Sequence, residues 1–177
     1  RDLVRSRGLG DVYKRQMEDW ATSYGRIDCM LTTADLLGNG AYEAVKDDKT
    51  YDGMLVYSVD CLAKTVLEIK DGVYTAAVYQ NPPALAAANL KAAYDLLTGA
   101  ETVVNTSVDS LLCTSDNVDQ FIQMYIDQGQ ITEDEAKSHG YEAGSAKSIL
   151  DDQSDDSDEE DTEEANDTAE DTETEAE

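Results

Sequence analysis

Seven side chains in the first half of the chain have the types and spacing to hold a hydroxylated molecule. Thr32, Thr33 and Asp35 follow one apolar run, Ser58 and Asp60 close a second, and Tyr79 and Gln80 close a third. An ionised carboxylate only accepts hydrogen bonds, whereas an amide or a hydroxyl both donates and accepts, so this set suits a ligand whose own groups are hydroxyls. If the three runs are adjacent parallel strands, their ends lie ~4.8 Å apart and the polar groups spread over ~10 Å, the span of one monosaccharide or similar polar metabolite. Each hydrogen bond to a charged group contributes ~1.5–3 kcal/mol, and a few of them beside an aromatic face give micromolar binding. Asp35 and Asp60 have a second reading as helix N-caps, and the sequence alone leaves both open.

The residues offer no catalytic set. His139, the single histidine, lies in EDEAKSHG without a partner nearby in sequence, which predicts a surface residue rather than a general base. GxSxG, P-loop and GxGxxG patterns are missing, so the expectation is a protein that is not an enzyme and needs no cofactor. Tyr57 and Tyr79 read as core or cleft-wall aromatics. Cys29, Cys61 and Cys113 are odd in number, widely spaced and free of CxxC, which predicts buried reduced thiols rather than a disulfide or a metal site.

Helices and strands alternate around these residues. A helix is predicted over 17–25, a strand over 27–33, a helix from Asp35 with Leu36, Leu37, Ala41, Ala44 and Val45 at a 3.6 period, and a strand over 53–60. Residues 61–72 form an amphipathic helix stopped by Gly72, and 73–80 a third strand. Asn81-Pro82-Pro83 then forces an exit, because proline fixes φ, lacks the N–H of a sheet ladder and keeps its predecessor out of the right-handed helical region. A helix entered at Pro83 and closed by Gly99 packs through Leu90, Ala93, Tyr94 and Leu97. A strand near 108–114 leads to a helix capped by Ser115 or Asp116, and Thr132 with Glu135 has capping-box spacing for another. This alternation predicts an α/β fold with a parallel sheet covered on both faces.

Composition limits the partners. The 177 residues carry a net charge of −26, of which −16 comes from 151–177, a stretch of eight Asp and eight Glu with no basic residue. That stretch lacks Leu, Ile, Val, Phe, Tyr and Trp and is predicted to be disordered. The body from 17 to 150 carries −13, without the clustered Lys and Arg that phosphate neutralisation needs, so nucleic acid is not expected as a partner. No apolar run approaches the ~20 residues of a membrane-spanning helix. The opening RDLVRSRGLGDVYKRQ, net +3, resembles a translated sequencing-adapter read-through, which places the authentic start at or near Met17.

The series IDCMLTTADLLGNGAYEAVKD, LVYSVDCLAKTVLEIKDGVYTAAVYQNPPALAAANLKAAYDLLTGAE and SLLCTSDNVDQFIQMY resembles the C-terminal half of the ribose/galactose-type periplasmic binding proteins. The resemblance implies an α/β lobe of a two-lobed fold, incomplete because the sheet of the N-terminal lobe is missing. It implies Asp60 and Gln80 as cleft residues and Asn81, Pro82 and Pro83 as a hinge; with Asp35 and Thr33 from the strand-end reading, the ligand-binding candidates are Asp60, Gln80, Asp35 and Thr33. The implied divisions are 1–16 as non-native, 17–80 as the C-terminal lobe, 81–101 as the hinge and a helix of the other lobe, 102–140 as the closing strand and terminal helices, and 141–177 as linker and acidic tail. The function implied is capture of a sugar-like ligand for the permease of an ABC importer, in the periplasm or at the cell surface, with membrane contact only through a lipid anchor. The effector domain of a lactose-repressor-type regulator is the alternative. Ala34 stands where the family commonly has Asn, which predicts a different ligand or compensation by Thr32 or Thr33. A helix over 83–99 whose partner sheet lies in the other lobe predicts that the chain alone is marginally stable and prone to associate.

Overall fold

The computed structural model describes residues 8–100 and 107–151. Expectations for 1–7, 101–106 and 152–177, including nearly all of the acidic tail, lie outside them. Four strands form one sheet in the order β1 (Cys29–Leu31), β2 (Leu55–Val59), β3 (Ala76–Tyr79) and β4 (Leu111–Thr114). The first three are parallel, and β4 runs antiparallel to β3 with Leu111 opposite Tyr79. The sheet is therefore mostly parallel rather than wholly so. The chain leaves the sheet after β3 and re-enters from the edge it left, which only an antiparallel strand can do.

Helices α1 (Leu9–Tyr24), α2 (Asp35–Tyr42), α3 (Ala63–Lys70), α4 (Pro82–Thr98), α5 (Val118–Asp127) and α6 (Glu133–Ser138) complete the described residues, with a 3-10 turn over Lys49–Tyr51. The expected boundary at residue 16 falls inside α1, whose Met17 is buried. Among the described residues the sheet is covered on one face, not on two as the alternation suggested. Strands in sequential order with right-handed crossovers place α2 and α3 on the same side, and α5 packs beside α3. That side carries buried Met30, Val56, Ser58, Ala77, Tyr79 and Cys113. On the other, Leu31, Leu55 and Leu112 are exposed, as is Cys29, which is thus not the buried thiol expected; Ala76 is the small exception.

Local chemistry sets the element ends. Gly72 terminates α3 at φ 77° and Gly99 closes α4 at φ 72°, backbone conformations that glycine adopts without a Cβ penalty. Gly40 serves a different need: a Cβ there would strike the backbone of Gly10, so its absence lets α1 and α2 approach closely. The cap of α5 is Asn117 rather than Ser115 or Asp116. The Asn117 amide accepts from Thr114 N at 2.8 Å and donates to Leu112 O at 2.9 Å, joining the helix start to β4. Thr132 caps α6, its hydroxyl accepting from Glu135 N at 3.2 Å. Residues 141–151, assigned to the linker, pack instead on α5. Tyr141 is buried and its hydroxyl donates to Gln123 Oε1 at 2.8 Å, while Ile149 N reaches Gln120 O at 3.3 Å.

Helix α4 departs from this core. Asn81, at φ 51°, takes a left-handed turn that Asn tolerates. Its side chain accepts from Ala84 N at 3.4 Å, and Pro82 and Pro83 occupy first-turn positions that need no N–H. No residue of α4 is buried: the intended packing face, Leu90, Tyr94 and Leu97, is 73%, 66% and 87% exposed.

Two outcomes follow for stability. Leu97→Glu changes the unfolding free energy measured by urea denaturation by no more than ~0.5 kcal/mol, whereas Phe121→Ala, which empties a fully buried site packed edge-on against Tyr79, costs ~3–5 kcal/mol. Glu68 gives a pH signature. Burial holds its carboxyl above the ordinary value of 4.5 against the opposing pull of Lys64, and one of its oxygens is buried with no partner among the described residues. The folded state binds that proton more tightly, so the contribution is full below the unfolded pKa and is lost as pH rises through the folded one. Glu68→Gln removes this part of the decline, and the difference between the two proteins' stability profiles from pH 4 to 7 measures it.

Candidate functional site

The site is built on a backbone that few residues adopt. After β2 the chain passes through Asp60 at φ 102° and Cys61 at φ 54°, two consecutive non-glycine residues at positive φ. Such conformations cost ~1–3 kcal/mol each and persist only where neighbours over-determine them. Here the neighbours are identifiable. Asp60 N donates to Val78 O at 3.0 Å, Tyr125 Oη donates to Cys61 O at 2.7 Å, and Leu62 N donates to Asp35 Oδ2 at 2.6 Å. The Cys61 thiol is buried against Cys113 and is pushed up by that hydrogen bond and by burial. The Tyr125 phenol is also raised, chiefly by burial.

This turn delivers the Asp60 carboxylate to the edge of the sheet, where Gln80 Nε2 donates to its Oδ1 at 2.8 Å. The register explains the meeting: Val59 pairs with Val78, so Asp60 lies beside Tyr79 and one residue short of Gln80. Both border a groove of about 380 Å³ lined also by Leu62, Tyr79, Pro82, Pro83, Leu85, Tyr125, Gln128 and Gln130. The phenol of Tyr79 is raised by burial and by Cys61, with an opposing pull from the Gln128 side chain. The arrangement offers a carboxylate, three amides and an aromatic flank.

The structure separates the other two candidates from this groove. Asp35 is fully buried and is neither a groove residue nor the cap of its own helix. Ala34 is the N-cap of α2, while the Asp35 carboxylate accepts from Ser58 Oγ and from the backbone of Leu62 at the start of α3. Thr33 is exposed just past β1 and does not line the groove. Thr32 is buried, its hydroxyl directed to Tyr57 O at 3.3 Å, so it does not replace an amide at position 34. Asp60 is likewise no cap, since α3 begins from Leu62. Asn81, Pro82 and Pro83 form the turn into α4, and the two prolines border the groove.

Sequence reasoning missed Leu62, Leu85, Tyr125, Gln128 and Gln130. The signal available for the last two was QGQ after a helical pattern, two amides flanking a glycine stop. His139 has a partner that the sequence hid: its Nδ1 lies 2.7 Å from Asp71 Oδ2 at the C-terminus of α3. Among the described residues no group of three or more His, Cys, Asp or Glu is placed to hold a metal ion.

Comparison with known proteins converges on one family. A model of the periplasmic binding protein domain matches residues 6–101. Among solved structures, an ABC transporter solute binding protein from Bacillus halodurans C-125 with bound myo-inositol is 25% identical, with a TM-score of 0.59 over 66% of this chain and 40% of the other. A Caulobacter myo-inositol binding protein is 26% identical, TM-score 0.55, over 62% and 38%. The binding protein of an arabinose ABC transporter from Shewanella sp. ANA-3, 20% identical with a TM-score of 0.57, covers 68% of this chain and 41% of its own and supports the fold. The chain thus spans about two fifths of the length of the structures it matches. No curated protein matches it by sequence.

Asp35→Ala removes the acceptor for a backbone N–H and a hydroxyl that have no other among the described residues, at ~1.5–3 kcal/mol for each bond to the carboxylate. A urea denaturation series should place this loss above that of Ser58→Ala, which vacates only one of the two bonds; an unchanged midpoint for Asp35→Ala would contradict the structural role.

Proposed function

The chain belongs to the periplasmic binding protein domain family, and on that premise we propose that it forms the ligand-facing lobe of an extracytoplasmic solute-binding protein that captures a sugar or cyclic polyol for an ABC importer. The observation that carries this reading is the Asp60–Gln80 pair, joined at 2.8 Å at the sheet edge and bordering a groove. A carboxylate oxygen beside an amide matches two neighbouring hydroxyls, each of which donates one hydrogen bond and accepts another. Leu85 and the two prolines, all exposed at the groove, supply apolar surface for the C–H face of a ring. The polar set falls where ligands of open α/β sheets lie, outside the carboxyl ends of the strands.

On this reading Asp60 and Gln80 contact the ligand directly, while Asp35 acts only by fixing the loop that follows Asp60. Asn81-Pro82-Pro83 is the hinge across which a second lobe closes. The protein works outside the cytoplasm, and its macromolecular partner is the permease of the importer. One of its solved relatives is an ABC transporter solute binding protein, which favours this reading over the effector domain of a regulator.

Isothermal titration of the full-length protein with myo-inositol, D-allose and allitol tests the proposal. Asp60→Ala lowers affinity for the best of these ligands by about tenfold to a hundredfold, and Gln80→Ala by about tenfold, each with little change in the thermal midpoint of the unliganded protein. Unaltered affinity in both variants would exclude this edge as the site.

A further inference from the structure

Resting on the reading just given, we propose that the turn ending α5 is a second recognition wall of the same groove, and that the side-chain amides of Gln128 and Gln130 decide which hydroxylated ring is accepted. These residues come from an element remote in sequence from β2 and β3, yet both border the groove together with Asp60, Tyr79 and Gln80.

The turn is rigid enough to specify. Gln128 N donates to Met124 O at 3.0 Å, Gly129 N to Ile126 O at 2.8 Å, and Gln130 N to Tyr125 O at 2.8 Å. Gly129 takes φ 70°, and Ile131 is buried beyond it, pinning the far side of the turn. The backbone behind the two amides is therefore fixed, while the amides themselves are exposed. Tyr125, whose hydroxyl holds the carbonyl of Cys61, ties this helix to the turn that presents Asp60, so the two walls move as one body.

The amides also have bonding capacity to spend. Gln130 Nε2 donates to Gln128 Oε1 at 2.9 Å, and the side chain of Gln128 lies against the phenol of Tyr79. Among the described residues no hydrogen bond engages Gln130 Oε1, and the Gln128 amide nitrogen, with one N–H turned to the Tyr79 phenol, keeps its second N–H. One donor and one acceptor thus stand side by side, as in the Asp60–Gln80 pair, and each pair matches two adjacent ring hydroxyls. Among the described residues no Lys, Arg or His lines the groove, so this lining does not neutralise an acidic ligand. The chemistry selects a neutral ring with hydroxyl pairs at two positions, and epimers that reverse one hydroxyl lose a bond at one wall only.

Titrating the full-length protein with myo-inositol, D-allose and allitol, for the parent, Asp60→Ala, Gln128→Ala/Gln130→Ala and the conservative Gln128→Asn/Gln130→Asn, decides the matter. The double alanine variant weakens the best ligand by about tenfold and changes the affinity ratio among the three probes, with the unliganded thermal midpoint unchanged; the Asn variant recovers part of the ratio. Unchanged affinity and ratio in the double alanine variant, while Asp60→Ala loses binding, overturns the second wall and leaves the function standing. A uniform loss accompanied by a lowered midpoint also overturns it, since a structural role explains that result. Absence of binding to all three probes by the parent overturns the function and this inference with it.

Discussion

The Asp35 carboxylate is the contact on which the groove-bearing edge of the sheet depends. It sits at zero exposure and accepts hydrogen bonds from two other segments, Ser58 Oγ on β2 and Leu62 N at the entry to α3. Between those two attachment points lie Asp60 and Cys61, both at positive φ. A short loop tied down at each end can be held in an unfavourable conformation, because relaxing it would break bonds to a buried charge. Tyr125 adds a third restraint from the opposite element by gripping the carbonyl of Cys61. The strain is spent on aim: it turns the Asp60 side chain away from the start of α3 and sets it beside Gln80.

A second constraint is the handedness of the connections. Sequential parallel strands joined by right-handed crossovers stack their helices on one side. In the described residues that side holds the core, and the opposite side presents Leu31, Leu55 and Leu112 to solvent. The apolar residues of α4 are bare as well. Large exposed apolar areas on a folded lobe are surfaces for covering, either by further chain or by another molecule. The chain spans about two fifths of the structures it matches, and its bare sheet face and the bare face of α4 are two such surfaces.

The groove has two origins. One wall comes from strand ends, where the polar residue types are already arrayed by the sheet spacing. The other comes from a helix terminus, whose amides gain their position only through the packing of α5 against α3 and β4. Asp60 and Gln80 are polar ends of neighbouring strands, and that much follows from the strand pattern. Gln128 and Gln130 reach them through a tertiary contact.

What the sequence determined by itself was whatever local physics governs. The alternation of strands and helices, the glycine stops at Gly72 and Gly99, the Thr132 cap and the proline exit at Pro82-Pro83 all depend on residues within one or two turns of each other, and all were legible. Tertiary structure decided the partners across long separations. Asp35 looked like a cap for the helix it begins, yet its oxygen found the backbone of Leu62, 27 residues away. Tyr125 is buried on α5, and its hydroxyl holds Cys61, 64 residues away. Cys29 lay in an apolar run but faces solvent, because burial on a strand is set by which sheet face the helices cover. Sheet register and the side chosen by each crossover fix these pairings, and neither is written in the spacing of any one segment.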